Sequence, residues 1–144
     1  MSSTIAGEFL VVVFSLGEEE YGIEISGVQE IIRLPKVTKL PGNDDYIMGI
    51  VNLRGKIISI VDLKKKLMLR TSEANDETRV IVVDLGDKSV GLVVDEVEEV
   101  MKIPTEMLVP AENIGSSLQA NYFRGVVRLD ERLLILLDVN KIFA

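Results

Sequence analysis

Gly49-Ile50-Val51-Asn52-Leu53-Arg54-Gly55-Lys56-Ile57-Ile58-Ser59-Ile60-Val61-Asp62-Leu63-Lys64-Lys65 has a second version near the end of the chain, Gly125-Val126-Val127-Arg128-Leu129-Asp130-Glu131-Arg132-Leu133-Leu134-Ile135-Leu136-Leu137-Asp138-Val139-Asn140-Lys141. Gly, Val, Leu, Asp and Lys recur here at a constant offset of 76. Upstream, an offset of 69 pairs Leu16-Gly17 with Leu85-Gly86, Gly22 with Gly91, Val28 with Val97, Glu30 with Glu99, Pro35 with Pro104 and Pro41 with Pro110. One insertion of seven residues between Pro110 and Gly125 accounts for the change. The chain is two copies of one unit. Positions where the copies disagree are the first to search for function.

At 144 residues the chain is one domain or two small modules. A copy of roughly 65 to 70 residues is marginal on its own, so two docked modules are expected. The apolar fraction of 47% is high for a chain with no apolar run long enough to span a membrane. Part of that apolar surface is expected to meet partners.

Charge and composition exclude several classes. With 16 basic and 23 acidic residues, a net charge of −7 disfavours binding to phosphate backbones. The basic run Lys64-Lys65-Lys66 reads as a solvated helix end. Cysteine is absent, so there is no disulfide framework, which fits a reducing compartment. Met1 to Glu8 lacks the basic head of a secretory signal, and a cytoplasmic location is expected.

Most segments read as strands. Phe9–Leu16 turns through Gly17-Glu18-Glu19-Glu20 into Tyr21–Ile25, and Thr78–Leu85 turns through Gly86-Asp87 into Ser89–Val94. Gly27–Leu34 and Glu96–Ile103 each end at proline, as a strand or a helical turn. Asn43-Asp44-Asp45 looks like a helix start. Lys56–Leu63 and Arg132–Val139 are apolar almost throughout, which predicts burial on both faces. Asp62 and Asp138 are placed to cap short helices over Leu63–Leu69 and Val139–Phe143. About ten short strands with frequent glycine turns predict two small antiparallel barrels, approximately over residues 9–70 and 78–144, with a polar linker at 70–77 and with exchange of strands between the two left open.

Catalytic chemistry has few candidates. Neither His nor Cys occurs, which removes the commonest general base, metal ligand and thiolate nucleophile. Glu18-Glu19-Glu20 reads as a solvated turn rather than a cation cage. Asp95-Glu96 and Glu98-Glu99 could supply a carboxylate pair by type, but aromatics are 5% and Trp is absent, so no aromatic-lined cleft accompanies them. No glycine-rich phosphate loop is present. No enzymatic activity, cofactor or metal is expected.

The copies differ most at one turn. Asn52-Leu53-Arg54-Gly55-Lys56 faces Arg128-Leu129-Asp130-Glu131-Arg132, so Arg54 becomes an acid and Gly55 a glutamate. Gly55 permits a backbone conformation that Glu131 does not, and a guanidinium beside it can act as a fork for a carboxylate. Val28-Gln29-Glu30-Ile31-Ile32-Arg33 mixes aliphatic and polar groups. It can either plug a barrel end or form an apolar groove with Glu30 at the rim.

Together, Glu20–Ile25, Val28–Ile31, Gly49–Leu63 with its Asn-Leu-Arg-Gly core, and Val90–Asp95 closely resemble the CheW family of bacterial chemotaxis coupling proteins, from about Glu8 to Phe143. The resemblance implies a mainly β fold of two five-stranded SH3-like β-barrel subdomains packed on a shared hydrophobic core, with short helices. It implies a non-catalytic adaptor that couples the cytoplasmic tips of chemoreceptors (methyl-accepting chemotaxis proteins) to the regulatory domain of the CheA histidine kinase, without nucleic-acid binding or membrane insertion. Without phosphotransfer, ATP-binding or receiver segments, the chain is expected to be a free-standing adaptor, cytoplasmic and recruited to receptor arrays. The receptor site implied is an inter-barrel groove lined by Val12, Ile25, Val28 and Ile31, with Glu30 and Arg54 as polar contacts. The kinase surface implied lies on the second barrel at Val90, Leu92, Val97 and Val100. Two other readings are a related adaptor of a non-flagellar receptor pathway and a small-ligand-binding double barrel, which would need a deep polar pocket.

Overall fold

The computed structural model describes residues 7–114 and 122–143, so most of the seven-residue insertion lies outside the described residues. The chain is mainly β. The described residues form eleven strands: β1 (Glu8–Leu16), β2 (Glu19–Glu24), β3 (Val28–Arg33), β4 (Ile47–Leu53), β5 (Lys56–Asp62), β6 (Arg79–Asp84), β7 (Ser89–Val94), β8 (Glu96–Pro104), β9 (Leu108–Pro110), β10 (Phe123–Leu129) and β11 (Arg132–Leu137). Two one-turn helices, Leu63–Lys66 and Val139–Ile142, follow the twin strands β5 and β11. Each is capped as expected: the Asp62 and Asp138 carboxylates accept from the backbone N–H of Lys65 and Lys141, both at 3.2 Å.

The strands form two sheets, ordered β8-β1-β2-β11-β10-β9 and β3-β6-β7-β5-β4. With β9 set aside, replacing each strand of one order by its sequence twin gives the other, so the repeat extends to topology. Both sheets mix the two copies. β2 lies parallel to β11, with Ile135 opposite Tyr21, and β7 lies parallel to β5, with Ile60 opposite Gly91. Compact units accordingly do not part at residues 70–77. One unit is the continuous segment Gly27–Val97; the other, discontinuous, takes the chain up to Ser26 and from Glu98 onward.

Five strands per sheet holds only for the continuous unit. In the discontinuous unit β9 adds a sixth strand, with Val109 opposite Val126. Its counterpart in the continuous unit is a single bridge between Thr38 and Ile50. Gly49 and Gly125 stand beside these contacts. A Cβ on Gly49 would fall 2.1 Å from the Thr38 carbonyl oxygen, and one on Gly125 would fall 2.2 Å from that of Val109. Backbone approach this close leaves no room for a side chain, which explains why both copies keep glycine there.

Each unit has its own core. In the discontinuous unit Val11, Val13, Ile103, Val127, Leu134 and Leu136 cluster, with Leu108 packed against them. In the continuous unit Val51, Ile58, Ile60, Val80 and Val82 cluster, with Ile32 and Leu53 alongside. Both edge strands of each sheet reach the same cluster, so each sheet curls into a barrel-like wall.

Three local expectations are corrected. Asn43-Asp44-Asp45 starts a turn and no helix: the Ile47 N–H donates to the Asp44 carbonyl at 3.1 Å, and β4 begins at Ile47, leaving no length for a helical turn. Glu19 and Glu20 belong to β2, so the acidic triplet is not all turn. Lys64 is not solvated but 5% exposed. Its ammonium pairs with Asp95 at 2.6 Å and donates to the Ser72 hydroxyl at 2.5 Å, tying the segment after the helix to the end of β7.

Candidate functional site

The β4–β5 hairpin places Arg54. Leu53 pairs with Lys56, leaving a two-residue loop in which Arg54 has φ +53° and Gly55 has φ +87°. Positive φ at both loop residues matches the right-handed twist of the flanking strands, and Asn52 braces the loop by accepting the Gly55 N–H at 2.9 Å. Asp130 has the same φ of +53°, whereas Glu131 is not among the residues with positive φ. Gly55 thus supplies the conformation that its twin does not take. Arg54 stands 74% exposed, and its Nη1 donates to Glu30 Oε2 at 2.5 Å.

β3 is an edge strand, and it carries a bulge. Val28 lies opposite Val83 while Glu30 lies opposite Val82, so Gln29 is the extra residue. Directly paired residues share a face. Val28 therefore faces the same way as Val83, and Ile31 the same way as Ile81. A spacing of three would put Val28 and Ile31 on opposite faces of a regular strand; the bulge brings them to one. Glu30 and Ile32 take the other face with Val82 and Val80, toward the core. Strand period alone gives no warning of this arrangement, although the aliphatic spacing of three is itself the signal.

Of the residues implied by resemblance, Arg54 and Glu30 are brought together, as are Val28 and Ile31. Ile31 and Ile25 are each 39% exposed, and Val28 is half-buried. Val12 is corrected: it is 1% exposed in β1, flanked by β8 and β2, and offers no surface. Val90 and Leu92 are corrected as well. β7 is the central strand of its sheet, where both side chains are buried. Val97 is half-buried and Val100 is 52% exposed in β8, and these two are the sequence twins of Val28 and Ile31.

A cavity of about 200 Å³ opens beside the Arg54 turn, lined by Gln29, Glu30, Leu53, Arg54, Lys56, Ile58 and Ser89. Sequence reasoning missed Lys56 and Ser89, which sit on neighbouring strands of this hollow; Ser89 Oγ donates to Gln29 Oε1 at 3.1 Å. Of the four carboxylates considered for an acid/base pair, Asp95 pairs with Lys64 and Glu99 with Arg132. Among the described residues no group of three or more acidic side chains is arranged to hold a metal, and no helix is long and apolar enough to cross a membrane.

Comparison with known proteins follows the same lines. The CheW-like domain family model matches residues 10–144. The chain is 40% identical over 141 residues to a chemotaxis protein CheW of Klebsiella aerogenes, covering 98% of this chain and 84% of that one. It is 36% identical to a chemotaxis protein CheW of Treponema pallidum, covering 95% and 83% respectively. The crystal structure of a scaffolding protein, TtCheW of Thermoanaerobacter tengcongensis, superposes with a TM-score of 0.87 at 33% identity, covering 94% of this chain and 92% of that one.

Proposed function

Since the chain belongs to the CheW-like domain family, we propose that it is a non-catalytic chemotaxis adaptor that holds a chemoreceptor tip and the CheA kinase regulatory domain in one array. The observation that carries this reading is the pairing of two features in the continuous unit: an apolar edge with Val28 and Ile31 on one face, and the Glu30–Arg54 pair displayed at the neighbouring turn. An amphipathic helix of a receptor tip docks on aliphatic anchors of this kind and takes its register from the polar pair. Val100, as the twin of Ile31, forms the kinase contact on β8 in the discontinuous unit.

Magnitudes favour a weak individual contact. Burying a whole aliphatic side chain yields about 1.5 to 3 kcal/mol, and these anchors are already partly covered. Association costs roughly 4 to 15 kcal/mol. Affinity near micromolar is expected, with several contacts in one array raising it by about 10² to 10⁴. Signalling then requires that the receptor's two states contact the adaptor with different free energies.

Co-sedimentation with a receptor signalling fragment and the kinase regulatory domain, singly and together, tests the reading. Ternary recovery above either pair is the expected result. Recovery of neither partner overturns it.

A further inference from the structure

The internal repeat supplies a comparison of one site in two states. In the discontinuous unit, Arg132 Nε and Nη2 donate to the two Glu20 oxygens, each at 2.9 Å, and Nη2 also reaches Glu99 at 3.1 Å. These hydrogen bonds hold the Arg132 guanidinium even more firmly protonated than usual. The site is closed by its own acids. Its twin in the continuous unit is the hollow beside Arg54: Lys56 stands where Arg132 does, Glu30 where Glu99 does, and Ser89 where Glu20 does.

Replacing Glu20 by Ser89 removes the carboxylate that fills the site. What remains is a hydroxyl, a cation on Lys56 that makes no ion pair with any described residue, and open space of about 200 Å³. Glu30 is not left over, because Arg54 reaches it from the turn at 2.5 Å. Two cations and one carboxylate therefore border the hollow, one carboxylate fewer than in the filled twin.

We infer that this hollow is a receptor for a glutamate side chain of a docking partner, which supplies in trans the carboxylate that Glu20 supplies in cis. The partner's oxygens accept from the Lys56 ammonium and from the Ser89 hydroxyl, which turns away from Gln29 Oε1 to donate, and the exposed Arg54 fork lies at the rim. Only the partner's identity rests on the adaptor reading; the carboxylate site stands on the repeat. A charge-assisted bond of this kind fixes register more than it adds affinity.

Two measurements on the whole protein test the inference. In an NMR titration with N-acetylglutamate, with N-acetylglutamine as neutral control, saturable shifts are expected at the Gln29, Lys56 and Ser89 amides for glutamate alone. They should vanish in Ser89→Glu, which restores the internal acid, and in Lys56→Gln, which removes the cation. Equal shifts with both probes, or shifts that survive in both variants, overturn the site. Ser89→Glu should also bind whichever signalling fragment engages this unit about tenfold more weakly, with its thermal midpoint held or raised. Unchanged binding of both fragments sinks the site and spares the adaptor. A wild type that binds neither fragment but passes the titration sinks the adaptor and spares the site.

Discussion

Arg54 and Asp130 adopt the same left-handed backbone conformation with opposite charge, so the turn in the continuous unit already has a template for an acid. Arg54→Asp loses an exposed ion pair, worth under about 1 kcal/mol, and keeps a residue type that tolerates this φ. Thermal denaturation should find the variant folded within a few degrees of wild type. Reconstituted receptor-dependent kinase activation should be lost, and full activation would remove Arg54 from the proposed site. Tyr21 sets a second residue-scale expectation. Burial first, and the nearby Glu19 charge second, raise its phenol pKa above 10.0. The unfolded chain releases that proton first as pH rises, so the folded state binds more protons just above pH 10. Tyr21's contribution is then complete below pH 10 and declines as pH climbs toward the folded pKa. Urea titrations across alkaline pH should show a shallower fall in stability for Tyr21→Phe, and parallel curves would contradict this.

Among elements, the repeated glycines show most directly what the sequence had encoded. Gly49→Ala forces a Cβ into a carbonyl oxygen at 2.1 Å, and backbone at that point has no flexible tip to yield. The variant should lose about 1 to 3 kcal/mol of stability or more in chemical denaturation; a loss below about 1 kcal/mol would mean that the Thr38–Ile50 bridge is dispensable. Hairpins and helix caps were legible because period two and an Asp before a helix each have a local physical cause, whereas burial on both faces of the paired apolar runs holds only toward their ends, since Ile57 and Leu133 are 63% and 51% exposed. The bulge at Gln29 was not, since one extra residue leaves composition unchanged and only the register with β6 reveals it. Lys64 was misread for a related reason. A lysine run at a helix end resembles solvated charge, and the covering group, Asp95, is distant in sequence. Val12, Val90 and Leu92 were assigned by position in a motif, which carries no information about which strand becomes central.

At the scale of the molecule, the repeat predicts two modules and leaves open which strands they exchange. Offsets of 69 and 76 align the copies, yet each sheet borrows strands from both, because β2 pairs with β11 and β5 with β7. Pairing between distant segments leaves no mark on local pattern. The continuous segment Gly27–Val97 holds all five strands of its sheet. Expressed alone, it should give dispersed amide resonances and a cooperative unfolding transition, whereas residues 1–70, cut at the expected linker, should give neither. The reverse result would show that the copies, and not the compact units, are the folding modules. During synthesis the opening hairpin of β1 and β2 leaves the ribosome long before β8 and β11 exist to flank it. Its aliphatic residues must wait until both are made, which makes this nascent hairpin a stretch on which a ribosome-associated chaperone has reason to act.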